Sequence, residues 1–164
     1  MPHLGDEGLF ARIDLERSWR DSVQGNTFRA EPAAFRHPFG VTPADAEWPV
    51  ISYAGNERVM RPAAAGRLGY RYEDLTDGSS NTILLGEIAV GCPAWGRPGN
   101  VRDPAEGVRS PYAFLSPWTA SGRREFTIFG MCDGSVRLVN ADVDRDVMRA
   151  LATPDGGEND ARGF

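Results

Sequence analysis

Lysine is missing from this chain: all 18 of its basic residues are arginine. A Schiff-base lysine and a phosphate-binding P-loop lysine are therefore both ruled out. Acidic residues number 23, leaving a net charge of −5, so no positive surplus exists to release counterions from a polyanion, and nucleic acid is not an expected partner. Histidine is nearly absent as well. His3 and His37 both fall in expected loop with no second histidine or cysteine beside them, and neither a triad nor a zinc site can be assembled from them. Cys92 and Cys132, the only two cysteines, lie forty residues apart and cannot form a CxxC pair. They are either bridged or two separate buried thiols. No apolar run approaches the roughly 20 residues of a membrane span, and no basic–apolar–small leader opens the chain. A soluble protein without membrane insertion by this chain is expected.

What is present is a globular composition, 41% hydrophobic and 25% charged, with 164 residues to form one domain. Glycine (19) and proline (12) together make up about a fifth of it, which predicts a loop-rich fold with few helices. One domain is expected over residues 1–158, with a frayed tail at 159–164.

Acidic residues before Leu9, Phe10 and Ile13 predict a short first helix. Prolines 32, 38, 43 and 49 make Asp21 to Pro49 a long loop. Val50 to Tyr53 reads as a strand closing on a Gly55-Asn56 turn. The "TDGSSNT" cluster at 76–82 is a compact turn in which Asp77, Gly78 and Asn81 satisfy backbone groups locally. Ile83 to Val90 should be a buried strand. From Cys92 to Arg124 prolines and aromatic residues alternate, predicting an ordered excursion pinned by its rings. The clearest local signal is "FTIFGMCDGSVRLV", 126–139: two arms of strand period around Asp133-Gly134, which suits a two-residue type I′ hairpin turn. Asp133 is thereby a turn residue before it is a catalytic candidate. Val143, Val147 and Leu151 then form a helical stripe ending before Pro154, with Asp142 or Asp144 as its cap.

Other candidate chemistry is weaker. Asn140, Asp142, Asp144 and Asp146 alternate like a calcium loop, but counted from Asp142 the required glycine is Val147 and the required glutamate Thr153. Asp74, Asp77 and Glu87 could group as carboxylates, though the first two serve a turn equally well. "TDGSSNT" lacks the spacing of a phosphate cradle. No nucleophile–base pair is legible, so no enzyme, no metal site and no cofactor are assigned. Trp95, Tyr112 and Trp118 have the composition of a contact surface or pocket wall, against the plainer alternative of packing beneath the loop.

Taken together, "LGDEGLFARIDLERSW", "SYAGN", "LTDGSSNTILLGE", "WGRPGNVRDP", "MCDGSVRLV" and "VMRALATPDGGE" occur in an order that resembles a large bacterial family of unknown function. That family is expanded in planctomycetes and is also filed as an extracellular solute-binding type. Its members start with a prepilin-like leader helix and carry a His, nine residues, Asp-Gly signature. Here Arg123 stands at the histidine position, Arg36-His37-Pro38 replaces a Cys-Pro-Ser, and no apolar leader helix is expected from the opening residues given. The resemblance implies an α+β, pilin-like or pseudopilin-like head with an antiparallel sheet and C-terminal hairpin. It also implies an extracytoplasmic location and a structural or interaction role with protein partners or self-assembly. A small-ligand-binding domain using the aromatic loop 92–124 is the alternative.

Overall fold

A computed structural model of the chain describes residues 5–38, 46–60, 70–108, 113–122 and 125–157. Where one domain is expected over 1–158, the contacts cluster into two compact units: Met1–Ser52 with Cys92–Gly99, and Tyr53–Gly91 with Asn100–Phe164.

The first unit is built from turns and two four-residue helices, α1 (Glu7–Phe10) and α2 (Gly25–Phe28). The acidic start before Leu9 does produce a helix, but Ile13 lies beyond it. Loop 14–24 is held by one buried amide. Gln24 accepts from Asp14 N–H at 3.0 Å and donates to Arg17 O and Ser18 O at 3.1 and 2.9 Å. The two segments of the unit meet through main-chain bonds from Ile51 N–H to Pro93 O and from Trp95 N–H to Pro49 O.

The second unit carries a five-stranded sheet. Its strands are β1 (Tyr53–Asn56), β2 (Ile83–Glu87), β3 (Val101–Arg102), β4 (Phe126–Met131) and β5 (Val136–Asn140). They lie in the order β3-β1-β2-β4-β5. The α+β, loop-rich class with a C-terminal hairpin is as the sequence indicated. The sheet is mixed rather than wholly antiparallel, because β3 runs parallel to β1, which a two-residue strand within an irregular loop does not advertise.

The helices of this unit are α3 (Glu57–Met60), α4 (Pro117–Ala120) and α5 (Arg145–Ala152). Asp144 caps α5, its carboxylate accepting from Asp146 N–H at 2.7 Å, which fulfils one of the two cap assignments. The core gathers Ile83, Ile88, Phe114, Phe129, Met131, Val139, Met148 and Leu151, each at most 1% exposed. Phe114 and Phe129 pack edge to face at 5.2 Å. They close so tightly over Gly86 that a Cβ there would stand 2.6 Å from both rings.

Two strand limits differ from the sequence reading. β1 begins at Tyr53 and includes Gly55-Asn56 rather than ending there, while Val50 pairs only with Ala94. Met60 lies against Gly55, its sulfur 2.2 Å from where a Cβ would be. β2 stops at Glu87: Ile88 stays buried, but Val90 is exposed and Gly91 turns the chain at φ +66°.

Candidate functional site

The polar residues singled out by sequence converge on one place in the second unit, where three turns meet. The first is the 76–82 loop. Gly78 adopts φ +96°, a conformation L side chains resist. Its carbonyl then accepts from Asn81 N–H at 2.9 Å and from Thr82 Oγ1 at 3.1 Å. Asn81 Nδ2 returns to Asp77 O at 3.1 Å. The cluster is wound on itself as its composition predicted.

The second turn is the hairpin. Gly134 N–H donates to Met131 O at 3.0 Å and Met131 N–H to Ser135 O at 2.8 Å, with Gly134 at φ +84°. Three residues, Cys132 to Gly134, therefore lie inside the closing pair. This is a β-turn followed by a left-handed glycine, not the two-residue type I′ turn expected. The reason is Asp133 itself. Its Oδ1 accepts from Ser135 N–H at 2.8 Å and from Ser135 Oγ at 2.6 Å, a local side-chain bond that favours the longer turn. The Ser135 hydroxyl bond above all, then the Ser135 N–H, holds this carboxylate below its ordinary value, with Arg137 adding to the effect.

The third turn follows α5. Gly156 and Gly157 N–H groups donate to Asp77 Oδ2 and Oδ1 at 2.7 and 2.9 Å, while Asp77 N–H donates to Pro154 O at 3.3 Å. Asp77 thus serves residues 79 and 80 positions away, a reach that its "TDGSSNT" context concealed. The first two turns are joined in the same manner: Asp133 N–H donates to Ser79 O at 3.1 Å and Cys132 N–H to Thr82 O at 2.9 Å. Tyr72 Oη lies 2.7 Å from Ser79 Oγ on the rim. Burial first, and Asp133 second, push the Cys132 thiol up. Both cysteines are thiols of intermediate burial.

Beneath this clasp is a residue not singled out from sequence. Asn56, fully buried, donates through Nδ2 to Ile83 O and to Ala152 O, each at 2.8 Å, and accepts from Arg58 N–H at 2.9 Å. One amide ties β2, the end of α5 and the start of α3. Glu87, 3% exposed, does not join Asp74 and Asp77 in the carboxylate group expected from sequence. It is used elsewhere, accepting from Ile128 N–H at 3.2 Å, while Asp74 accepts from Arg71 N–H. Burial first and the Glu87 charge second raise the Tyr53 phenol. A lone acid inside "ILLGEIAV" was the available signal for a buried carboxylate.

The aromatic contact residues fare differently. Trp95 belongs to the first unit, where its indole N–H donates to Ala30 O at 2.8 Å and its ring meets Phe28 at 4.7 Å and Phe35 at 6.1 Å. It is a packing residue. Tyr112 lies outside the described residues; Trp118 stands in α4, and its side chain lies outside them too. The first unit also has an open cleft of about 420 Å³ lined by Arg29, Glu31, Ala46, Glu47 and Pro49. Arg29 there pairs with Glu47 at 3.2 Å and stacks on Trp48 at 4.5 Å.

Of the acidic alternation after β5, Asp144 is spent on its cap and Asp146 on Arg149 at 2.6 Å. Among the described residues no three His, Cys, Asp or Glu side chains gather where they could hold a metal, and no helix is long and apolar enough to cross a membrane. His37 is buried, and His3 lies outside the described residues. No protein-family model, curated protein or solved structure matches this chain.

Proposed function

We propose that this chain is a non-enzymatic structural or interaction head domain of a pilin-like or pseudopilin-like extracytoplasmic protein, acting through protein partners or self-assembly. One observation carries the non-catalytic part of the reading. The signature aspartate spends Oδ1 of its carboxylate on Ser135 and its N–H on Ser79, and the other Asp-Gly carboxylate, Asp77, is spent on Gly156 and Gly157. A general base or nucleophile needs lone pairs directed at a substrate; Asp133 Oδ1 and both Asp77 oxygens are directed at the chain's own groups instead. The pilin-like and extracytoplasmic parts rest on the resemblance of the quoted segments.

Fractionation of the tagged protein in the organism that encodes it is the test. Recovery at the cell surface or with sheared filaments supports the reading, and recovery in the cytosol alone defeats it. Solute binding is the second reading, favoured by the cleft beside Arg29 rather than by the aromatic loop, since Trp95 is committed to packing. A thermal-shift screen with sugars and amino acids distinguishes the two, because a ligand that binds only the folded chain raises its melting midpoint by mass action.

A further inference from the structure

β5 forms one edge of the sheet, and its register shows which backbone groups it uses. Met131 N–H donates to Ser135 O and Ala141 N–H to Glu125 O, each at 2.8 Å. Between these bonds the pairing runs in step, Phe129 with Arg137 and Thr127 with Val139. Only alternate residues of an antiparallel strand bond a given neighbour. Arg137 and Val139 therefore turn their N–H and C=O groups toward β4, and those of Val136 and Leu138 point out of the sheet. Neither has a backbone partner among the described residues. The side chains of Val136 and Leu138 are 67% and 61% exposed and stand on one face, across from Gly130 and Ile128.

Sheets commonly guard such an edge with charges, prolines or bulges. Val136–Asn140 has no proline and pairs with β4 in unbroken register. Its one charge, Arg137, projects to the opposite face from Val136 and Leu138, as strand alternation requires. Carboxylates bracket the strand instead: exposed Asp133 before it, and exposed Asp142 and Asp144, outnumbering Arg145, after it. This bracketing selects the occupant. A second copy pairing antiparallel about Leu138 would lay the Asp133 turn of each chain beside the 142–144 segment of the other, and like charges facing each other across strands repel. An extended segment with basic ends meets attraction there.

We infer that the outer edge of β5 accepts an extended strand of a partner protein, apolar at alternate positions and basic at both ends, by sheet extension. Main-chain bonds to Val136 and Leu138 supply affinity, the Val136–Leu138 face supplies apolar contact, and the bracketing carboxylates set which strands bind. The inference stands on the sheet edge alone and does not require the pilin-like assignment.

The test uses the full chain and a labelled ten-residue peptide of alternating threonine and valine with two arginines at each end. Saturable binding is expected, with slowed amide exchange at Val136 and Leu138. A twin peptide ending in glutamates should bind at least about tenfold more weakly. Leu138→Pro removes an N–H that lies off the β4 ladder, where proline is tolerated; it should keep the melting midpoint close to that of the parent and weaken binding about tenfold, as the loss of one or two main-chain bonds would. If that variant does not fold, Leu138→Arg serves in its place, repelling the basic peptide from the same edge. Absence of binding, equal binding of the two peptides, or binding unaffected by the Leu138 variant overturns the proposal. So does a chain that dimerises alone with Val136 and Leu138 amides protected, since the second copy is then the occupant.

Discussion

Replacing Asn56 with alanine removes the group on which three elements of the second unit depend, and its cost follows from the bonds lost. Asn56 is 0% exposed, so water does not replace what the amide supplied. Ala152 is the last residue of α5 and its carbonyl has no further helical turn to donate to it. Ile83 O and Ala152 O each lose a donor at 2.8 Å, and a buried polar group deprived of its partner costs about 1–3 kcal/mol. Arg58 N–H loses the acceptor at the start of α3, the kind of cap whose removal costs about 1 kcal/mol. Together these predict a loss of about 3–7 kcal/mol, a large part of the 5–15 kcal/mol by which a domain is stable. Urea unfolding followed by circular dichroism reads this as a lower midpoint at unchanged slope. Asn56→Asp should be at least as damaging near neutral pH, because a carboxylate would face two carbonyl oxygens. A loss below about 1 kcal/mol for Asn56→Ala would show that the amide is not the tie between β2 and α5, and the reasoning would fail.

Gly86→Ala forces a methyl group between Phe114 and Phe129 at 2.6 Å from each, and overpacking of this kind costs about 1–3 kcal/mol; near-ultraviolet circular dichroism should report the displaced rings. Asp77→Ala releases Gly156 and Gly157, so the amide exchange of those two residues should accelerate well beyond any change elsewhere in α5. The Cys132 thiol, raised by burial and by Asp133, should alkylate more slowly at pH 8 than cysteine in a peptide. Because its folded value lies above its unfolded one, the stability it contributes is complete below the unfolded cysteine range and is lost as pH rises through the folded value. A thiol in the folded chain reacting as fast as in the unfolded chain would contradict this.

How far the sequence could be read depended on whether a signal was local. The hairpin arms announce themselves through alternation, and Thr127, Phe129 and Met131 do face inward. Asp144 capping α5 and the winding of 76–82 are likewise matters of a few adjacent residues. The turn between the arms is one residue longer than the expected type I′ turn because Asp-Gly suits two loop lengths, and the Asp133 carboxylate, bonded to Ser135 N–H and Oγ, favours the longer. Long-range polar ties had no such signal. Nothing near Asp77 points to Gly156, and Asn56 looks like a turn former until Ile83 and Ala152 are brought against it. The parallel pairing of β3 with β1 is equally a product of tertiary contact. Trp95 shows the reverse limit: aromatic composition suits a binding surface as well as a core, and only the neighbouring Phe28, Phe35 and Ala30 O show which it serves.

The carboxyl titration of Asp133, followed by nuclear magnetic resonance together with the Ser135 amide, tests most directly whether the Asp133 corner is scaffold. A folded value below the usual aspartate range is predicted, with the Ser135 amide shifting in step as the bond is lost on acidification. The stability linked to this group is present above the unfolded value and lost as pH falls through the folded one. A value at or above the usual range, with Ser135 unmoved, would mean that the carboxylate is not bound into its own turn and is open to chemistry.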